Sequence, residues 1–231
     1  MKNITMGGGN KVFPYLNLNN NIVTCDDGYK ILTYLPGENV EIVGNKKYFS
    51  SIIVNGEEQI KSSSDSGSLT IPSLENSKVK VRFKEEISSL SSCFTGCTSL
   101  IAIPSNLFAD CPNVTDFNFC FSRCSLTIIP EKLFAGCPNV TSFYNCFDNC
   151  LDLISIPKNL FTNNTKVTSF GSCFNACYDL EVMPIDSDGT PIYNRSGSGK
   201  EGYSIVTKFS SCFYSCKKLL EKYPDIPEDW R

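Results

Sequence analysis

One ten-residue motif occurs five times in this chain and constrains the fold more than any other feature. It consists of Ser or Thr, an apolar residue, a Cys-Phe pair and a closing Cys, as in residues 141–150. The Cys-Phe pair and the closing Cys of the five copies are Cys93-Phe94 and Cys97, Cys120-Phe121 and Cys124, Cys146-Phe147 and Cys150, Cys173-Phe174 and Cys177, and Cys212-Phe213 and Cys216. Successive copies are 27, 26, 27 and 39 residues apart. Spacings of roughly 20 to 50 residues are the signature of stacked repeats such as solenoids.

Within each copy, apolar residues stand at positions i, i+3, i+4 and i+7. This spacing is typical of one face of a short α-helix. A hydroxyl residue two positions before the first apolar residue can cap such a helix. These hydroxyl residues are Ser88, Thr115, Thr141, Thr168 and Thr207. The motif therefore predicts a short helix in every copy.

The segments between motifs also share a pattern, in which an apolar run ends in Ile-Pro and is followed by Leu-Phe. It occurs over residues 100–115, 126–141 and 153–168. The apolar run is typical of a short strand, and proline suits the first turn of a second helix. Stacked copies would pair these strands in parallel, about 4.8 Å apart. We therefore predict an α/β solenoid of short parallel strands and short helices over residues 86–231.

Residues 1–85 contain no copy of the motif and consist of short β-rich runs, including one at 21–25. The Asn55-Gly56 pair between two of these runs predicts a tight hairpin. We predict a small β-rich domain over residues 1–85. It is either an independent sandwich or a cap on the first repeat, since an open solenoid end exposes apolar surface.

The consensus Cys-Phe-x-x-Cys-x-x-Leu-x-x-Ile-Pro-x-x-Leu-Phe-x-x-x-x-x-Val-Thr-x-Phe covers about residues 87–220. It resembles the leucine-rich repeats of BspA-like bacterial surface proteins, although that family often has Met where this chain has Cys before Phe. The resemblance implies leucine-rich-repeat coils, an extracellular or cell-surface location, and adhesion to host or microbial partners. Residues 1–9 lack the apolar core of a signal peptide, so either the protein is cytoplasmic or an export signal lies outside this sequence.

Composition argues against several classes of function. The chain has no histidine, which removes the commonest general base and the commonest zinc ligand. We predict no catalytic residue, no cofactor and no metal site, and a hydrolase within residues 1–85 is the disfavoured alternative. The net charge is −3 with scattered Lys and Arg, so nucleic acid is not an expected partner. No apolar run is long enough to predict a membrane-spanning segment.

The 13 cysteines sort by repeat position. Five precede Phe, five close the motif, Cys111 and Cys137 form a third column, and Cys25 stands apart. Their Cys-x-x-x-Cys spacing differs from the Cys-x-x-Cys of a zinc knuckle. Disulfides between adjacent copies are geometrically feasible. Buried free thiols are the favoured interpretation, because thiols are among the most readily buried side chains.

The longest interval contains 12 extra residues within the stretch 185–205. Insertions in repeat proteins map to loops, which often carry recognition, and the candidate partner-binding residues here are Tyr193, Arg195, Lys200 and Tyr203. A tolerated surface loop is the simpler interpretation, because long polar loops cost little closure entropy. After the last motif, the polar end containing Trp230 predicts a C-terminal cap.

These observations favour a non-enzymatic cell-surface interaction or adhesion module. It would bind a protein partner through a repeat surface or through the 185–205 insertion. The alternative is a carbohydrate-binding accessory surface protein that uses exposed aromatic residues such as Tyr193 and Tyr203. The expected partner is therefore a protein or a glycan at the cell surface.

Overall fold

The computed structural model describes residues 28–61, 66–196 and 199–231. The strand expected at 21–25, which includes Cys25, lies outside these ranges. The described residues form seven strands, one α-helix and three short 3-10 helices. The strands are β1 (Lys30–Tyr34), β2 (Gly37–Val43), β3 (Phe49–Val54), β4 (Glu57–Lys61), β5 (Leu69–Leu74), β6 (Lys78–Phe83) and β7 (Leu100–Ala102). The helix is α1 (Lys217–Lys222), and the 3-10 helices are Lys46–Tyr48, Ile192–Arg195 and Glu228–Trp230.

The seven strands form two antiparallel sheets. One has five strands in the order β4-β3-β6-β1-β7, and the other pairs β2 with β5. The hairpin predicted at Asn55-Gly56 is confirmed, because β3 and β4 pair antiparallel on either side of it. In β6, Val79 and Val81 are buried while Lys78 is exposed, as expected for side chains that alternate between the two faces of a strand.

The sheets pack directly on the first repeat. Strand β7 follows the first motif and pairs with β1, with Thr33 opposite Ala102. The Gly44 amide donates to the carbonyl oxygen of Cys93 at 2.9 Å. The rings of Phe49 and Phe94 lie 5.8 Å apart. The buried residues of the sheets and the repeats therefore belong to one hydrophobic core.

The prediction of an α/β leucine-rich-repeat solenoid is wrong. The described residues contain mostly antiparallel β-structure, and their single α-helix, α1, follows the last motif. The parallel strands expected between repeats are reduced to isolated bridges, such as those joining Ser89 to Asp116 and Ile128 to Ser155. The helices expected in the five motifs are turns.

We number the motifs as repeat 1 (90–97), repeat 2 (117–124), repeat 3 (143–150), repeat 4 (170–177) and repeat 5 (209–216). Each repeat consists of two consecutive four-residue turns, and a backbone hydrogen bond closes each turn. In repeat 3 the Cys146 amide donates to the Phe143 carbonyl at 3.1 Å, and the Cys150 amide donates to the Phe147 carbonyl at 3.2 Å. The third residue of each turn has a positive φ, 54° at Asn145 and 57° at Asn149. This is the arrangement of a type II turn, whereas an α-helix requires negative φ throughout.

Neighbouring repeats are joined by a ladder of backbone hydrogen bonds. The amides of Phe143 and Phe147 donate to the carbonyls of Ser169 and Cys173 in the next repeat, at 2.9 and 2.8 Å. The hydroxyl residues before each motif contribute to this ladder and do not cap helices. For example, Thr141 Oγ1 donates to the Thr115 carbonyl at 3.1 Å. The amides that a helix would bond internally thus bond to the adjacent repeat.

Aromatic rings form columns through the core. The Cys-Phe phenylalanines of the five repeats make one stack, with centroids 5.4 to 5.9 Å apart and rings nearly parallel. At the far end, Trp230 stacks on Phe209 at 5.0 Å, and its carbonyl accepts the Phe213 amide at 2.8 Å. The sheets cover one end of the stacked rings and Trp230 covers the other.

Candidate interaction surface

The double turns determine which residues of each repeat face outward. The first and fourth residues of a turn are buried, as Phe117 and Cys120 show, except that Phe209 is partly buried. Most second and third residues, which lie between them, are at least partly exposed. We call the second and third residues of the ten turns between 90 and 216 the turn face. Most of them are small or polar, so the large side chains among them stand out.

Two aromatic side chains form a pair on the turn face. Phe119 of repeat 2 is 38% exposed and Tyr144 of repeat 3 is 43% exposed. Their ring centroids are 5.4 Å apart at an interplanar angle of 82°, an edge-to-face contact that aromatic pairs favour. Gly171 of repeat 4 makes room for this ring, since a Cβ there would lie 3.1 Å from Tyr144 Cδ2. Repeat 4 thus leaves space beside the pair for the Tyr144 ring.

Large exposed apolar side chains lie in the repeats and in the segments that connect them. In the described part of the chain, all of them fall between residues 119 and 214 and none lies in the two sheets. They are Phe119, Ile128, Tyr144, Leu151, Tyr178, Val182, Ile205 and Tyr214. Single exposed apolar residues are ordinary, whereas adjacent ones such as Phe119 and Tyr144 favour an interaction surface.

A polar network holds the turn face together beside the aromatic pair. The carboxylate of Asp148, only 9% exposed, accepts hydrogen bonds from Asn175 Nδ2 at 2.6 Å and Asn149 Nδ2 at 2.9 Å. Ser122 Oγ lies 3.4 Å from the same carboxylate. These partners belong to repeats 2, 3 and 4. The network therefore links three neighbouring repeats through side chains as well as through the backbone.

The closing cysteines act as hydrogen-bond donors in the core. Each sulfur from repeat 2 onward donates to the phenylalanine carbonyl of the preceding repeat. The pairs are Cys124 to Phe94 at 3.1 Å, Cys150 to Phe121 at 3.1 Å, Cys177 to Phe147 at 3.2 Å and Cys216 to Phe174 at 2.9 Å. A thiol is small and apolar enough for this site and still provides a weak donor.

All 12 cysteines of the described residues are buried, and none forms a disulfide with another. Burial raises the pKa of Cys150 and Cys216 to about 12 and that of Cys111 to about 11. The thiolate is the reactive form, so these neutral thiols are poor nucleophiles near pH 7. Within the described ranges, no group of three or more His, Cys, Asp or Glu side chains is placed to hold a metal ion.

The insertion contains a buried ion pair between Arg195 and Asp186. Arg195 and Asp186 are 1% and 0% exposed. The Arg195 guanidinium contacts both carboxylate oxygens of Asp186, with distances of 2.5 Å from Nη2 and 3.1 Å from Nε. Such a bidentate pair is strong and directional. Arg195 Nη2 also donates to the Phe161 carbonyl at 3.0 Å.

The structure brings together three of the four partner-binding residues predicted in the insertion, but it places them in contacts within the chain. The Tyr203 ring lies 4.2 Å from Arg195 Cζ, and its hydroxyl donates to the Thr162 carbonyl at 2.9 Å. Lys200 Nζ is 2.9 Å from Asp186 Oδ2. Tyr193, the fourth, packs instead near Trp230, with centroids 6.5 Å apart.

Phe119 and Tyr144 are not among the candidate residues predicted from the sequence. A signal for them exists, because they are aromatic at motif positions that hold Ser, Asn or Gly in most other repeats.

Comparison with protein-family models, curated proteins and solved structures gives no match to this chain. In the ranges that the structure describes, no helix combines the length and apolar character needed to cross a membrane.

Proposed function

We propose that the protein is a non-enzymatic interaction module that binds a protein partner through the part of its turn face that carries Phe119 and Tyr144. The observation that carries this proposal is the Phe119–Tyr144 pair on the turn face, within the region that contains all the large exposed apolar residues described. Aromatic residues are enriched in the buried centres of protein interfaces, and tyrosine is among the residues that contribute most binding energy there.

The rigidity of the turn face supports the same function. The Phe119 amide donates to the Tyr144 carbonyl at 2.9 Å, so the two residues are joined by their backbones as well as by their rings. Asp148 connects the neighbouring repeats through its three side-chain partners. A surface that is already ordered loses little conformational entropy on binding. Binding through this face would therefore require little ordering of the protein.

The contacts of the insertion favour the turn face as the binding surface. Arg195 is buried by its own chain, and the hydroxyl of Tyr203 already donates to Thr162. These side chains would have to break internal contacts to reach a partner. A location outside the cell is part of the proposal, and the resemblance of the repeat motif to BspA-like surface proteins supports it.

The test uses a photo-crosslinking amino acid in place of Tyr144, applied to the full chain on intact cells and on extracellular matrix proteins. Mass spectrometry identifies any crosslinked protein, whose affinity is then measured. We expect the double variant Phe119→Ser, Tyr144→Ser to weaken that affinity at least ~10-fold, as loss of an aromatic anchor does.

The matched control is Ile128→Ser, Val182→Ser, which removes two equally exposed apolar residues outside the turn face. It should leave the affinity unchanged. A glycan array is probed in parallel with the same variants. Binding to glycans that the Phe119 and Tyr144 substitutions abolish, with no protein crosslinked, would reject the proposal and favour the carbohydrate-binding alternative.

A further inference from the structure

Repeat 2 lacks a turn that follows repeats 1, 3 and 4. In those repeats two residues separate the closing Cys from the next buried Leu, and a hydrogen bond closes the four-residue turn. The bonds run from the Leu100 amide to Cys97 at 2.9 Å, from Leu153 to Cys150 at 3.2 Å and from Leu180 to Cys177 at 3.1 Å. Only Ser125 stands between Cys124 and Leu126. A turn of this kind spans four residues, so repeat 2 cannot form it.

A depression lies where this turn is missing. Its volume is about 280 Å³, close to the lower end of the range for small-molecule sites. It is lined by Thr98 after repeat 1, by Arg123 and Ser125 of repeat 2 and its connection, and by Asn149, Leu151 and Asp152 of repeat 3 and its connection. The one-residue deletion in the sequence thus coincides with a recess between two full-length neighbours.

Two oppositely charged side chains, those of Arg123 and Asp152, line the recess. Among the described residues, neither Arg123 nor Asp152 has an ion-pair or side-chain hydrogen-bond partner. Asp179 occupies the position of Asp152 in repeat 4, and it pairs with Lys218 at 2.8 Å. Leu151 adds an apolar surface that is 46% exposed. The recess therefore combines a free cation, a free anion and an apolar contact.

We propose that this recess binds a small zwitterion, namely an amino acid or a short peptide with an apolar side chain. The ligand carboxylate would contact Arg123, whose planar guanidinium suits a two-point contact with a carboxylate. The ligand ammonium group would contact Asp152, and its side chain would lie against Leu151. This site uses neither Phe119 nor Tyr144, so it does not depend on the proposed protein-binding function.

The first experiment is an NMR titration of the full, isotope-labelled chain with L-leucine and with the dipeptide Leu-Leu. We expect saturable shifts of the Ser125 and Leu151 amides. N-acetyl-L-leucine lacks the ammonium group and L-leucinamide lacks the carboxylate, so each should bind at least ~10-fold more weakly, the typical loss when a charged hydrogen bond is removed. Tighter binding of the dipeptide than of leucine would assign the site to peptides, and the reverse result would assign it to free amino acids.

Three variants test the assignment of the recess. Arg123→Asn and Asp152→Asn each remove one charge and should reduce L-leucine affinity at least ~10-fold. Asn suits position 123, where φ is 62°, since Asn149 has φ of 57° at the same position of repeat 3. Insertion of Asp after Ser125 restores the missing turn and should abolish binding.

Asp179→Asn is the matched control, because it removes the equivalent carboxylate outside the recess, and it should leave L-leucine affinity unchanged. Chemical shifts away from the recess establish that each variant is folded. The proposal is overturned if wild-type protein gives no saturable shift, if both blocked analogues bind as well as L-leucine, or if the variant with the inserted Asp still binds.

Discussion

Arg195 Nη2 donates a hydrogen bond to the carbonyl oxygen of Phe161 at 3.0 Å, and in doing so takes the place of a cysteine. The equivalent carbonyls of the two preceding segments, those of Phe108 and Phe134, accept from Cys137 Sγ at 3.5 Å and Asn164 Nδ2 at 3.2 Å. Cysteine, asparagine and arginine differ in size and charge, but all three can donate. The phenylalanine carbonyl at this position therefore requires a hydrogen-bond donor. In the insertion that donor is Arg195, and Asp186 neutralises the charge of its guanidinium group.

Removing either member of this pair should destabilise the fold. We expect Arg195→Met or Asp186→Asn to lower the free energy of unfolding by roughly 3–5 kcal/mol. Asp186→Asn leaves the buried Arg195 charge without its carboxylate, and Arg195→Met leaves the buried Asp186 with Lys200 as its remaining cation. Lys200→Met is the control, since this more exposed contact to Asp186 should contribute at most about 1 kcal/mol. Chemical denaturation of the three variants measures the difference. Equal, small losses in all three would show that the ion pair does not anchor the insertion.

Serine should replace cysteine better in the closing column than in the column before phenylalanine. At position 150 a serine hydroxyl can donate to the Phe121 carbonyl, as the thiol does at 3.1 Å. Cys146 makes no such bond to the described residues, so a hydroxyl there would be buried without an acceptor. We expect Cys146→Ser to cost about 1 kcal/mol more than Cys150→Ser in urea denaturation. The opposite order would mean that the sulfur–carbonyl contacts contribute little.

Glycine substitutions distinguish the observed turns from helices. Ala176 has φ of 55°, a conformation in which a Cβ is unfavourable. Ala176→Gly should therefore leave stability unchanged or raise it by up to about 1 kcal/mol, whereas in a helix it would cost about 1 kcal/mol. Ala135→Gly, at a residue without positive φ, is the control and should destabilise. Thermal unfolding of both variants is the measurement, and a clear loss in Ala176→Gly would contradict the turn geometry.

The buried thiols should make the fold sensitive to alkali. Burial raises the pKa of Cys111 to about 11 and that of Cys137 to about 12, whereas an unfolded thiol titrates near ~8.5. Between these values the unfolded chain loses protons that the folded chain keeps, so stability is complete below pH ~8.5 and falls as pH rises. Unfolding midpoints under reducing conditions at several pH values test this. An unfolding midpoint that stays constant or increases as the pH is raised beyond ~8.5 would contradict this prediction.

The same burial predicts slow alkylation of the native protein. At neutral pH the described cysteines should react with iodoacetamide only after denaturant is added, because the neutral thiol is a weak nucleophile and access is blocked. Cys25 lies outside the described residues, and a Cys25→Ser background removes its contribution. Labelling of several thiols at the rate of free cysteine in that background would show that the repeats open readily.

The sequence by itself determined the register of the repeats, the burial of their Phe and Cys positions and the hairpin at Asn55-Gly56. Only the tertiary structure decided between helices and turns. The spacing i, i+3, i+4 and i+7 buries the same side chains in both, and the choice depends on where the amides bond. The amides of Phe143 and Phe147 donate to the next repeat, 26 residues along the chain. These hydrogen bonds outweigh the cost of positive φ at residues such as Asn145. The contact between Arg195 and Phe161 likewise joins residues that are 34 positions apart, and local sequence patterns could not reveal such contacts.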